Sequence, residues 1–486
     1  METSRAYWFA LTGVCNVLFW GFLIDWITTS TQPSDVTYVA CCTLISAIAG
    51  LVVLNPLQSD SFEPLKLVAF IYGWSFGLGP LLLAPEGHYK FQYLGGASDR
   101  LLSEGAFLAL VGWLMLLAGY YLYAAVSRGP KNKGSRELSR GKRSVITTAG
   151  TILLLLGGVA YVWLVYGAGG LSHFIYYTGG RADIFNGVFG GLYWATFFLL
   201  SGLNAIGCAH VQKHPVLVLA LALAIGVVFI PFQGREEVLA PAICGLLLIH
   251  YGHKRISMKW ITVAACILLV MASFLAYFRS AEKSAVYKNT DSFVSTFKDN
   301  FGKYLLVTLA ENIEQMDVFL IAIRYVETTH RTLDGSTLVN WLEPIDKHIL
   351  GDVISSEHPG RILTILIHPE HRWSQTALSP SILGELYLNF AEPGIIVGLF
   401  VYGLGLRFLY EKISAVHYDR ASLMLYPYLI WIISKSVVDG TVLLFRPLVV
   451  VVPTMLIYFF LTARFRPSRT LAYDESALVS LGEQEK

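Results

Sequence analysis

Charge is scarce in this sequence. Lys, Arg, Asp and Glu make up 14% of the 486 residues, against 55% that are hydrophobic, and the mean hydropathy is +0.55. Soluble domains carry about 25% charged residues. The apolar surface exceeds what one or two water-facing cores can hide, which excludes a cytosolic enzyme, a secreted disulfide scaffold and a nucleic-acid module. The net charge of +2 points to no polyanion partner, so the distribution of charge matters more than its sum. The cysteines Cys15, Cys41, Cys42, Cys208, Cys244 and Cys266 all lie in apolar runs. None remains outside the membrane to build a disulfide framework. There is no Walker A sequence for an ATP-driven pump, no Asp-x-Asp for a metal-dependent nucleotide-sugar site, and no G-x-S-x-G elbow. Neither H-E-x-x-H nor paired C-x-x-C occurs, so no metal or other cofactor is expected. Few charges sit mid-span, which argues against ion-coupled transport. Internal repeats are absent too.

What is present is a series of long apolar runs. A helix needs about 20 apolar residues to cross the hydrocarbon. Spans are predicted near 7–28, 36–55, 64–85, 105–126, 145–166, 189–209, 214–232, 236–252, 258–278, 384–408, 421–438 and 447–464. The fold class is therefore an all-α polytopic membrane protein of about twelve transmembrane helices. The first run lacks a small-x-small cleavage site and reads as a retained span. Residues 1–278 hold nine spans, 279–382 one large loop, 383–465 three spans, and 466–486 a polar tail.

Basic residues set the orientation. The segment 127–144 holds seven Lys/Arg and one acid, and 253–259 and the stretch from Arg464 to Arg469 are basic too. The positive-inside rule places these in the cytoplasm, with both termini inside. The large loop, with nine Lys/Arg and thirteen Asp/Glu over 280–382, then lies outside. Its first part, near 293–328, reads as helix, because Phe301, Leu305, Leu309, Ile313, Phe319 and Ile323 recur largely at spacings of three and four. Its second part, 332–382, is punctuated by Gly and Pro and reads as irregular.

Charges at the rim of a span are costly and mark candidate sites. Arg235 sits in the tight Gly234–Glu237 turn, Arg279 ends the ninth span, and Arg446 and Arg181 lie on other outer turns. Four cations thus share one membrane level. A lipid-linked diphosphate would require such a set, because Arg presents an always-charged fork to phosphate oxygens and stabilises a leaving diphosphate. The competing reading is snorkelling to lipid headgroups. Glu385, at the start of the tenth span, either positions an acceptor, acts as a base, or is a favourable charge at a helix N-terminus. Lys435 and Asp439 flank the last outer turn. His368 and His371 stand three apart, but Pro369 breaks a regular helix there.

At Ser379–Gly398 the chain reads SPSILGELYLNFAEPGIIVG, followed by Gly403 and Gly405. This resembles the G-E-L-Y-x-N-F-G-x-x-G-x-x-x-G signature of Wzy-type O-antigen and oligosaccharide repeat-unit polymerases. Ala391 stands where the family often has Gly. The layout resembles the family as well, with a Gly-Arg turn at 234–235, a large outer loop before the motif, and an R-x10-G spacing at Arg324 and Gly335. The resemblance implies a GT-C-like glycosyltransferase in the bacterial inner membrane, with its large loop in the periplasm. It implies undecaprenyl-diphosphate-linked oligosaccharide as donor and acceptor, and a chain-length regulator as a partner. In that frame Glu385, Arg235 and Arg279 are the candidate catalytic residues. Arg181, Arg324, Arg361, Lys435, Arg446 and Tyr387 are candidate substrate contacts. Sugar stacking on Tyr387 or Trp373 competes with an aromatic-belt role. The motif glycines read as helix-packing positions. An O-antigen ligase and a lipid-linked oligosaccharide flippase are the alternatives.

Overall fold

The computed structural model describes residues 36–55, 60–83, 99–127, 138–167, 169–170, 190–232, 235–281, 314–342, 358–367, 378–414, 423–441 and 445–464. The regular structure among them is entirely helical. The helices are α1 (Val36–Leu54), α2 (Pro64–Gly73), α3 (Gly79–Leu83), α4 (Asp99–Val126), α5 (Arg140–Gly167), α6 (Gly190–Thr196) and α7 (Phe198–His210). They continue as α8 (Pro215–Phe229), α9 (Arg235–Gly252), α10 (Met258–Ala281), α11 (Glu314–Thr329) and α12 (Pro359–Ile367). The last are α13 (Ser381–Pro393), α14 (Leu399–Ser414), α15 (Tyr426–Asp439) and α16 (Phe445–Arg464).

Six stretches are long and apolar enough to cross a membrane: Val36–Leu54, Arg100–Val126, Arg140–Gly167, Gly191–His210, Pro215–Phe232 and Ser381–Lys412. This is a multi-pass membrane protein. The predicted span at 7–28 lies outside the described residues. The one at 64–85 is interrupted by a π-turn at Trp74–Leu78, and that at 421–438 appears as the 14-residue α15. Local chemistry explains several ends. Pro64 and Pro215 occupy first-turn positions, where a missing N–H costs nothing. Gly440, at φ 72°, terminates α15 in a conformation that disfavours a Cβ.

Two apolar cores meet along α15. Tyr426, Leu429, Ile430, Ile433 and Val437 join the core built on α1, α2, α4, α11, α13 and α14. Tyr428, with Trp431 beside it, joins the second core, built on α6–α9 and α16. α15 is thus the seam of the molecule, and its ends register both halves.

Glycines set the close approaches, as small residues do where helices cannot rely on water to drive association. On α4, Gly105, Gly112 and Gly119 repeat every seven residues. A Cβ on Gly112 would fall 2.6 Å from Leu399 Cδ1, and one on Gly119 would meet the Phe400 carbonyl. Gly403 reciprocates against the Leu116 carbonyl. Gly394 and Gly398 pack on Leu386, whereas Gly405 faces open space.

Ala391 corrects the sequence reading of a minor departure. It adopts φ 52°, ψ −142°, a conformation that suits glycine, the residue the motif usually carries there. The residue forms a kink inside α13, two residues before its end and just ahead of the π-turn at Gly394–Gly398. Ala391→Gly is therefore expected to stabilise the protein by about 1 kcal/mol, the backbone strain relieved less the added freedom of the unfolded chain. Thermal unfolding of detergent-solubilised protein checks this, with Ala391→Val moving the other way.

The segment read as a large loop contains a helix packed into the bundle. Of the predicted 293–328 helix, the part from Glu314 onward is helical, as α11; residues 293–313 lie outside the described residues. Residues 315–323 of α11 are all buried. Phe319 packs edge-on against Phe76 and Tyr387, and Leu320 fills the notch at Gly105.

Candidate functional site

The motif folds as α13, and its carboxylate points inward. Glu385 is completely buried. Its Oε1 accepts from the Thr441 hydroxyl at 2.6 Å and the Thr337 hydroxyl at 3.2 Å, and Oε2 accepts from the Thr441 amide at 2.5 Å. Three donors on one carboxyl group suit its ionised, acceptor-only form. Gly440 makes this possible, because a Cβ there would collide with Glu385 Oε2. Beside it, Asp439 accepts from the Ser379 hydroxyl at 2.6 Å and from Lys435 Nζ at 2.7 Å. The α15 terminus is thus tied to α13 through both carboxylates.

A second segment lies across α13. After α11 the chain passes through His330 (φ 50°), Asp334 (φ 47°) and Gly335 (φ 84°) into a 3-10 turn at Ser336–Leu342. The Leu333 amide donates to the Leu388 carbonyl at 2.9 Å. Asn389 Nδ2 donates to Thr337 Oγ1 at 2.6 Å and to the Glu385 carbonyl at 2.7 Å. These bonds fix the amide's orientation, since the carbonyl needs a donor. Asn389 Oδ1 is then a buried acceptor with no hydrogen-bond partner.

Two of the predicted cations, Arg235 and Arg446, sit on helix ends that the fold places at the same end of the bundle. Tyr251 and Tyr426 bond at 3.0 Å and Thr454 bonds Tyr428 at 3.2 Å, so α9 and α16 both run antiparallel to α15. Arg235 at the start of α9 and Arg446 at the start of α16 therefore lie at the Gly440 end. Arg279 lies at the far end of α10, which begins just after the Tyr251 end of α9. Their side chains lie outside the described residues, as does all of Arg181. Arg324 is exposed on α11 and Arg361 on α12. Lys435 is committed to Asp439, its i+4 neighbour. Tyr387 is buried, its hydroxyl directed at Glu392 at 3.4 Å. Trp373, His368 and His371 lie outside the described residues. No group of three metal-ligating side chains occurs among the described residues.

A family model described as O-antigen polysaccharide polymerase Wzy matches residues 12–464, nearly the whole chain. The chain belongs to the Wzy family. No curated protein and no solved structure matches it. This Wzy protein is accordingly a membrane-embedded polymerase of O-antigen repeat units, acting in polysaccharide biosynthesis as a glycosyltransferase-like enzyme on lipid-linked oligosaccharide.

The Wzy chain also holds a polar cluster at its opposite end, which sequence reasoning missed. Glu385 and Arg407 are 22 residues apart, on α13 and α14, with the Ala391 kink and the π-turn between them. There Arg407 contacts Glu63 at 3.3 Å and Glu411 at 2.9 Å, and Tyr120 donates to Glu63. Asp60 accepts from Tyr251 at 2.7 Å, Tyr410 at 2.8 Å and the Phe62 amide at 3.0 Å, and His250 Nε2 lies 3.5 Å away. Burial alone would raise the Asp60 pKa. The His250 ring and these donors outweigh it and hold the carboxyl down at about 2. Asp60 therefore stays ionised at neutral pH. The stability it lends is complete above its ordinary range and fades as pH falls toward about 2.

Proposed function

We propose that this Wzy protein lengthens the glycan at its Gly440 end, which we place at the periplasmic face of the bacterial inner membrane. The basic segments 127–144 and 253–259 adjoin helix termini at the Tyr251 end, which supports a cytoplasmic assignment for that end. The donor is a glycan on undecaprenyl diphosphate and the acceptor a new lipid-linked repeat unit. Arg235 and Arg279 grip the donor diphosphate, with Arg446 and Arg181 as further contacts. Arg324 and Arg361, both exposed in the large loop, contact the extended glycan. Lys435 acts by holding Asp439, and Tyr387 by packing beneath the motif.

In the transfer, an acceptor hydroxyl oxygen attacks the anomeric carbon. The new C–O bond forms as the bond to the diphosphate breaks, and inversion follows from that in-line displacement. The diphosphate leaves with its electron pair, stabilised by the guanidinium groups. The hydroxyl proton passes to Glu385, the carboxylate built into the site. A separate chain-length regulator belongs to this reading as a partner.

The observation that carries the proposal is the placement of the Arg235 and Arg446 helix ends with the motif carboxylate at one end of the bundle. Arg235→Ala and Arg279→Ala are each expected to cut chain elongation at least tenfold at normal protein levels. The check is the polysaccharide ladder of a strain carrying each variant as its sole copy. Two full ladders would overturn the assignment. Deletion of the gene should leave a single repeat unit attached, whereas loss of a ligase leaves none.

A further inference from the structure

The Glu385 carboxylate is sealed, and what seals it is thin. Of residues 330–339, Thr337 is the one that is fully buried among the described side chains, while His330, Arg331, Asp334, Ser336 and Val339 are exposed. The helix before this segment is anchored quite differently, with 315–323 buried throughout. Three positive-φ residues, His330, Asp334 and Gly335, fall within its first six positions. The segment is held by Thr337, by the Leu333 amide on the Leu388 carbonyl and by the half-buried Leu333, fewer ties than hold the helices beneath it, so it opens at lower cost than the bundle. Under it lie the Glu385 carboxylate, the Thr337 and Thr441 hydroxyls, and the unfilled Asn389 Oδ1. A buried acceptor with no donor is expensive to keep. A ligand bearing several hydroxyl groups would fill it and share the neighbouring oxygens.

We propose that residues 330–339 form a strap over a subsite for the acceptor sugar, and that the strap lifts to let a sugar hydroxyl reach Asn389 Oδ1 and Glu385. The inference rests on the polymerase reading and deepens it, by naming which substrate the motif receives. Thr337 is the latch. Its hydroxyl donates to Glu385 and accepts from Asn389, so both contacts must break when the strap lifts. Asn389 and Glu385 then turn to the incoming hydroxyl.

The test uses full-length protein in lipid nanodiscs, with Cys15 and Cys266 replaced by alanine. Asn389→Cys is labelled with a water-soluble maleimide. Labelling should be slow and should speed up about tenfold when Thr337→Val removes the latch, the equivalent of a hydrogen bond worth about 1.4 kcal/mol. Equal rates with and without Thr337→Val would overturn the strap. In a separate arm, Ser336→Cys and Phe390→Cys are joined by a short cleavable thiol cross-linker. Extension of lipid-linked repeat units should stop on cross-linking and return on reduction. Undiminished extension by the cross-linked protein would also overturn the proposal. If the wild-type protein in the same nanodiscs extends no repeat units, the polymerase reading fails instead, while the labelling rates still report on the strap.

Discussion

Replacing Glu385 by alanine is expected to abolish long-chain polymer and to weaken the protein as well. The carboxylate takes three hydrogen bonds in a site that excludes water, two from Thr441 and one from Thr337. The two hydroxyls can turn elsewhere; the Thr441 hydroxyl already lies 3.5 Å from the Thr337 carbonyl. The Thr441 amide cannot turn, so it is left as a part-buried donor without its acceptor. Counting one stranded donor and the lost side-chain volume, the cost is about 2–5 kcal/mol. Glu385→Gln separates chemistry from architecture. It preserves volume and can still accept from both threonine hydroxyls. Its NH2 group, however, meets the Thr441 amide donor to donor, and it takes no proton at neutral pH. Polymer should therefore fail in both variants, with the melting temperature lowered more in the alanine variant. The measurements are the ladder of a strain lacking its own copy and thermal unfolding of the purified protein. A full ladder from Glu385→Gln would end the base assignment; a full ladder from Glu385→Ala would end every functional role for the residue.

Glu385 was visible in the sequence because a carboxylate at the head of a twenty-residue apolar run is anomalous. Its partners were not. Thr337 and Thr441 lie 48 and 56 residues away and carry no anomaly of their own. Gly440 falls outside the motif, yet its missing side chain is what admits the carboxylate to the turn. Spans such as 36–55 and 145–166 were legible from hydropathy, since lipid rewards every apolar side chain around a helix. α11 was harder, because Glu314, Gln315 and Asp317 lower its hydropathy while its next six residues are buried on every side by neighbours far along the chain. The polar cluster at the Tyr251 end was hidden for a related reason. Asp60, Glu63, Tyr251, Tyr410 and Tyr426 belong to no motif and are scattered over more than 360 residues of sequence. Only the packing of four helices around the segment before α2 makes them a network. Ala391 shows a subtler limit: composition records an alanine, but the backbone it must adopt belongs to glycine.

That far cluster supports the second large prediction. Arg407 neutralises two carboxylates, Glu63 and Glu411, and its guanidinium also stands over the Tyr120 ring at 5.3 Å. Its side chain is 22% exposed and that of Glu63 is 4% exposed, so water does little to screen the pair. Removing one partner of a buried pair costs about 3–5 kcal/mol, because the other charge is left in a medium that cannot solvate it. Arg407→Ala is therefore expected to lower the melting temperature steeply and to reduce the amount of protein in the membrane. Adding Glu63→Gln should recover part of the loss, since the stranded charge is gone while the amide oxygen still accepts from Tyr120. Effects that simply added would show that the two side chains do not interact. The cluster joins α4, α9, α14 and α15 to the segment before α2, and α14 and α15 continue toward Glu385 and Thr441. Slack at the Arg407 end would thus be felt at Glu385, 22 residues along the chain, as a looser motif. Specific polymerase activity per folded molecule should fall in Arg407→Ala and return with Glu63→Gln. Unchanged specific activity would confine the cluster to stability alone.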